Sequence, residues 1–317
     1  MMTKNEFMNY EASKVSEILS RSGMEDISVQ LVNVVKMNDQ KLTGLCIRKD
    51  DETASPNMYL DDAYNAYSAG ENPDRIAMDI AGRYLALDRE VPAADALKQE
   101  GVFEGKKIGL RLLEASRNRE YLKGTPYMAV GNGLVLVCDV RIDEHLEGYY
   151  SAVVNNDLLK VMGREKADVF KEAISEAWNV DRPVLCTMES KLFDAPEMNL
   201  LDEPGELGTG MYILSNTSRI HGAAALFYPD VQEKISEALG ENYYALPSST
   251  EEFIIVPESK GMEPKEFTAM VTDANRTVVD PSQVLSDKVL RYDRDSKVLQ
   301  DVTAGRELES RAAEMRC

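Results

Sequence analysis

Reactive side chains are few: two histidines, His145 and His221, and four cysteines, Cys46, Cys138, Cys186 and Cys317, among 317 residues. A mononuclear zinc site would have to join the histidines to a cysteine or carboxylate. Neither H-x-x-H nor H-E-x-x-H spacing occurs, however, and there is no C-x-x-C pair. No metal is expected. For thiol chemistry, Cys46 and Cys138 fall in apolar segments where a thiol is buried and inert. That leaves Cys186, after Pro183-Val184-Leu185, as the cysteine placed to react. Among hydroxyls, Ser248-Ser249 is the candidate pair for a nucleophile, a reading that requires His221 and Asp287 to converge on Ser248 within hydrogen-bond reach. It has neither a G-x-S-x-G elbow nor an S-x-x-K lysine, so serines satisfying the amides of a turn are the simpler reading.

Three other patterns bear on ligands. Gly131-Asn132-Gly133 lacks the third glycine of a dinucleotide fingerprint and precedes a strand pattern instead of a helix, so no cofactor is expected. Asp293-Arg294-Asp295, with Lys297 and Asp301, alternates like a calcium loop. Val298 stands where that loop turns on glycine and Ala304 where it needs a bidentate glutamate, and a hairpin turn is expected instead. Tyr59, Tyr64 and Tyr67, and the pair Tyr243-Tyr244, could line a peptide groove, with packing at the core's edge as the alternative.

The elements that must hold these side chains begin with Thr3-Lys4-Asn5-Glu6, a capping box ahead of the apolar face of Phe7, Val15, Ile18 and Leu19. A helix stopping near Gly23 follows from it. Apolar residues between 27 and 47 flank Asn38-Asp39-Gln40 as two strands of a hairpin, and helices over 61–69 and from Pro73 complete an α-β-β-α-α region. Residues 88–106 read as a connection. Strands are predicted over 108–113, 131–142 and 149–154, then a short helix capped by Asn155 and an amphipathic stripe of Val169, Phe170, Ala173, Ile174, Ala177 and Trp178. Residues 189–206 carry six carboxylates and one lysine with two prolines, the composition of a solvated acidic loop. Beyond it, strands are predicted over 211–215 and 220–227 and a helix from Pro229 to Gly240. Two strands follow around the turn Pro247-Ser248-Ser249, then a helix from Pro264, a short one at Asp280-Pro281 and a strand near 289–292.

Strands in adjacent pairs between helices, without a run of βαβ units, indicate an α+β fold with antiparallel or mixed pairing. The expected regions are 1–105, 106–300 and a polar tail at 301–317. With 36 basic and 55 acidic residues the formal charge is −19, which repels phosphate and argues against nucleic acid or a membrane surface as partner. Scattered cysteines and an N-terminus without an apolar leader segment suit a reducing cytoplasm.

Several segments resemble an uncharacterised bacterial family, a domain of unknown function common in anaerobic gut bacteria. They are Tyr59-Leu60-Asp61-Asp62 with Tyr64 and Tyr67, Asn155-Asn156-Asp157-Leu158-Leu159, and Gly222-Ala223-Ala224-Ala225 running to Tyr228-Pro229. Further along come Leu246-Pro247-Ser248-Ser249-Thr250-Glu251-Glu252 and Val284-Leu285-Ser286-Asp287 leading to Arg291-Tyr292-Asp293. Together they span about residues 29–299. The pattern near Leu246 is also distantly similar to a second unknown-function family of cytosolic bacterial proteins. Neither resemblance implies a reaction, cofactor or catalytic residue. Three functions compete on these grounds. The first is a non-enzymatic module that binds a protein or peptide through an exposed sheet edge or a tyrosine-lined surface. The second is a hydrolase with a serine or cysteine nucleophile, and the third an acidic decoy that imitates nucleic acid.

Overall fold

A computed structural model describes residues 1–24, 26–49, 57–86, 103–145, 148–192, 198–202 and 210–303. The chain divides into two compact units, Met1–Glu104 and Gly105–Cys317. Both are α+β, and among the described residues every strand pair is antiparallel. Among the described residues no helix is long and apolar enough to cross a membrane.

In the first unit α1 (Lys4–Arg21) starts where the capping box requires: the Glu6 amide donates to Thr3 Oγ1 at 3.4 Å and the Thr3 amide to Glu6 Oε2 at 2.8 Å. β1 (Ile27–Val35) and β2 (Lys41–Lys49) pair in an unbroken register from Ile27 opposite Lys49 to Val35 opposite Lys41. Asn38 and Asp39, both at positive φ, turn the chain between them. A third strand, β3 (Asn57–Tyr59), adds to β2, so the region is α-β-β-β-α-α with α2 (Asp61–Ser68) and α3 (Pro73–Ala86) closing it. Phe7, Val15 and Leu19 of α1 meet Leu45 and Ile47 of β2 and Ile76, Ala77 and Ile80 of α3 in one core.

The second unit holds two sheets. In the four-stranded one β6 (Leu134–His145) is central. β4 (Ile108–Glu114) lies along one edge, while β5 (Met128–Gly131) and β7 (Gly148–Val153) share the other. The apolar stripe predicted over 169–178 is two helices, α5 (Lys166–Ser175) and α6 (Ala177–Val180), which follow the Asn155-capped α4 (Asn156–Val161). α5 packs on β4 and β6 through Val169, Phe170 and Ala173. The second sheet has six strands: β8 (Pro183–Thr187), β9 (Tyr212–Asn216), β10 (Tyr243–Ser249), β11 (Glu252–Pro257), β12 (Leu290–Asp293) and β13 (Val298–Asp301). Their order is β13-β12-β10-β11-β9-β8. Between them α7 (Met188–Leu192) follows β8, α8 (Val231–Leu239) ends at Gly240 with φ 77°, and α9 (Pro264–Thr277) lays Phe267 and Val271 against Tyr244, Leu246 and Val256.

Several local expectations give way to tertiary context. Residues 220–227 form no strand: His221 is left-handed and Gly222–Phe227 is a 3-10 turn wedged against β9. A Cβ on Gly222 would stand 2.1 Å from Ser215 Oγ and 2.4 Å from the Glu251 carbonyl, so only glycine admits this approach. Pro247-Ser248-Ser249 is strand, with a register shift after Pro247, and the turn falls at Thr250 and Glu251. Asp280-Pro281 is a turn without a helix. The described part of the acidic 189–206 stretch is anchored: α7 occupies its start, Leu200 and Leu201 are buried, and the Leu200 amide donates to the Leu185 carbonyl at 2.8 Å. The Asp293 turn is the expected hairpin, joining β12 to β13 with Asp293 opposite Val298. Residues 304–317, and most of the 88–106 connection, lie outside the described residues.

Candidate functional site

The candidate nucleophiles are committed to structure. Cys186 is wholly buried in β8, its thiol 3.8 Å from the Ile213 carbonyl, and Cys138 is buried in β6, where burial drives its thiol far above the usual range. Cys46 is only half-buried, against expectation, and Cys317 lies outside the described residues. Ser248 donates to Glu252 Oε1 at 3.4 Å, and Ser249 Oγ accepts the Glu251 amide at 3.0 Å. Asp287 is held elsewhere, by Arg117 and by Asn275 at 2.8 Å, in a network where Lys288 and Arg117 both reach Glu114. Among the described residues no hydrogen bond joins Ser248, His221 and Asp287. Tyr243 and Tyr244 are buried, and Tyr64 and Tyr67 pack on Phe7 with ring centroids 5.5 and 5.0 Å away. Tyr59, 36% exposed, is the most exposed tyrosine of the two candidate groups, and Tyr64 and Tyr67 are half-buried.

His221 does belong to a cluster, one that motif reasoning missed. On one face of the four-stranded sheet Arg111 Nη2 donates to Asp139 Oδ2 at 2.9 Å and to Ser151 Oγ at 2.8 Å. Gly109, directly across from Asp139, leaves room for its carboxylate, since a Cβ there would lie 2.6 Å from Oδ1. Beside them Arg141 pairs with Asp181, donates to the Val180 carbonyl at 3.1 Å and stacks 3.9 Å from the centre of the Tyr149 ring. The His221 amide donates to Glu251 Oε2, while its Nδ1 is 3.9 Å from Oε1.

Burial alone would raise the Asp139 carboxyl, but the Arg111 charge and the Ser151 hydroxyl outweigh it and hold the group below its ordinary value. Burial pushes His221 down to about 4, with Arg111 adding to the fall and Asp139 opposing it. At neutral pH His221 is therefore uncharged, and its approach to Glu251 is not an ion pair. Asp181 and Glu251 are both raised, chiefly by burial. The signal in the sequence was there: Asp139 and Arg141 interrupt the most continuous apolar run in the chain, and a charge in such a strand demands a buried partner. With each guanidinium matched to a carboxylate, the cluster acts as a polar lock between the sheet and the 217–221 and 250–251 turns.

An open edge lies in the first unit. β1 pairs only with β2, in a sheet ordered β1-β2-β3, and among the described residues no backbone bond reaches its other side. Its nine residues, ISVQLVNVV, contain no charge and no proline, and its register has no bulge. These are the devices by which proteins normally blunt an edge. Ile27, Val29 and Leu31 turn toward the core, and alternation puts Ser28, Gln30, Val32 and Val34 on the opposite face. Tyr59 and Leu42 continue that face on the neighbouring strands, with the Lys36 ammonium 5.2 Å over the Tyr59 ring.

The fold and these features define an α+β protein with an interior cluster in which each guanidinium is paired with a carboxylate and, among the described residues, a sheet edge with no backbone partner. The model of a family of unknown function (DUF5688) matches residues 4–294, and the chain belongs to that family. No match was found among curated proteins or solved structures.

Proposed function

We propose that the protein is a non-enzymatic interaction module that binds an extended segment of another protein by strand addition along β1. The observation that carries this reading is the edge itself: nine uncharged residues in regular register, paired on one side only among the described residues. Strand addition draws its affinity from main-chain bonds and its selectivity from alternate side chains, and β1 offers both. The engaged state of Ser248, Ser249 and Cys186 favours it over a hydrolase. Amide hydrogen exchange in the presence of ten-residue peptides selected from a random display library tests it, with slowed exchange at residues 27–35 expected. Peptides that slow exchange only in the second unit would defeat it. Saturable labelling of Ser248, Ser249 or Cys186 by fluorophosphonate or iodoacetamide would replace it with the hydrolase.

A further inference from the structure

We infer that α1 is a pH-gated latch on the first unit, docked on α3 and β1 while Glu11 carries its proton and swinging away about Gly23 once Glu11 ionises. This goes beyond the strand-addition reading and does not depend on it. Glu11 lies on the inner face of α1 with Phe7, Met8 and Val15, wholly enclosed, and neither carboxylate oxygen has a hydrogen-bond partner among the described residues. A neutral carboxyl is tolerable in such a place, whereas an ionised one left unpaired is among the costliest groups a core can hold.

Among the described residues no cation pairs with Glu11. On its own helix Tyr10 donates to Asp74 at 2.6 Å, and Lys14 is divided between Glu17 at 3.1 Å and Asp74 at 3.7 Å. α3 brings Asp74 at its start and the buried Tyr84, and its other charges, Arg75, Asp79 and Arg83, are exposed. α2 brings Tyr64, Tyr67, which takes the Met2 amide at 2.7 Å, and Asp61, which is held by Lys4. The sheet turns Val29, Leu31, Leu45 and Ile47 inward, with Lys41 and Lys49 at the two ends of β2. Asp74 is the charge that acts on Glu11, and it opposes ionisation. Burial and Asp74 together push the carboxyl up from 4.5 to about 7. Protonated Glu11 therefore supports docking fully below about pH 4.5, and that support is withdrawn as pH climbs through 7.

The helix can move by itself. It precedes every strand of its unit, and no backbone hydrogen bond joins it to the sheet among the described residues, so undocking breaks no strand pairing. Gly23, at φ 86° with open space around it, follows its last turn. What undocking uncovers is apolar: Leu45 and Ile47 of β2, and Ile76, Ala77 and Ile80 of α3.

Amide hydrogen exchange of the full chain, resolved by segment between pH 5 and pH 8 and corrected for intrinsic rates, tests this. The opening equilibrium of α1 is expected to rise roughly 70-fold over that range, while β1 and β2 stay more protected than α1 at every pH. Glu11→Gln keeps the shape of the side chain but cannot ionise, and it should leave α1 equally protected at both ends of the range. Glu11→Leu should do the same if the amide is not accepted in the core. Loss of protection by α1, β1 and β2 together, with one opening energy, would show unfolding of the whole unit and overturn the latch. So would α1 protection that ignores pH in the parent, or a pH dependence that survives in either variant.

Discussion

Glu11 is the least compensated ionisable residue described. It sits on the buried face of α1 between Phe7, Met8 and Val15, fully enclosed, and neither carboxylate oxygen has a hydrogen-bond partner. Burial, reinforced by the Asp74 charge, raises its carboxyl from 4.5 to about 7. An acid whose folded value exceeds its unfolded value stabilises the fold fully below the unfolded value and loses that contribution as pH climbs through the folded one. Unfolding free energy should therefore fall by up to about 3 kcal/mol between roughly pH 4.5 and 7. Glu11→Leu should flatten that dependence and raise the melting temperature at pH 8, as thermal scans at pH 5 and 8 will show. The reverse case is Asp139, paired where Glu11 is not. Arg111→Met should strand its buried carboxylate and cost about 3–5 kcal/mol in urea unfolding at pH 7, whereas adding Asp139→Leu should recover most of the loss.

Turns that lock elements together belong to the next scale. Gly131, Asn132 and Gly133 all have positive φ, so the turn between β5 and β6 is left-handed throughout. Asn132 uses that shape to reach the far sheet. Its side chain donates to the Leu299 carbonyl at 3.0 Å and accepts from the Asp301 amide at 3.0 Å, while its carbonyl accepts from Lys288 Nζ at 2.6 Å. Asn132→Ala loses both side-chain bonds and strains φ, at about 2–4 kcal/mol. Asn132→Gly loses the bonds alone and should cost less, and chemical denaturation of the two variants separates the terms. As a dinucleotide motif this tripeptide failed, and its positive-φ glycines mark a brace between the two sheets of the second unit.

At the scale of the whole molecule the acidic excess governs solubility. A sequence pI near 4.6 places the solubility minimum close to pH 4.6, where turbidity at low salt should peak. Local chemistry alone settled much of the architecture. A capping box started α1, Pro73 and Pro264 started α3 and α9, Gly240 stopped α8, and alternation with a polar turn made the β1–β2 hairpin, because each depends only on nearby backbone groups and the side chains that satisfy them. Short apolar runs were ambiguous. Residues 220–227 read as a strand because helix and strand periods cannot be told apart over eight residues, and the missing Cβ of Gly222 decided the matter by letting the turn close on β9. The brief strands β3, β5, β8 and β13 likewise owe their existence to the partners beside them. So does the polar cluster. Composition showed that Arg111, Asp139, Arg141, Asp181, His221 and Glu251 were present, but five elements and turns distant in sequence had to fold together before each guanidinium met its carboxylate and His221 met Glu251. The sequence by itself determined the local elements and the balance of charge. Only the tertiary structure decided which charges are buried in pairs and, among the described residues, which strand edge lacks a backbone partner and that no hydrogen bond joins Ser248, His221 and Asp287, because those are relations between residues far apart along the chain.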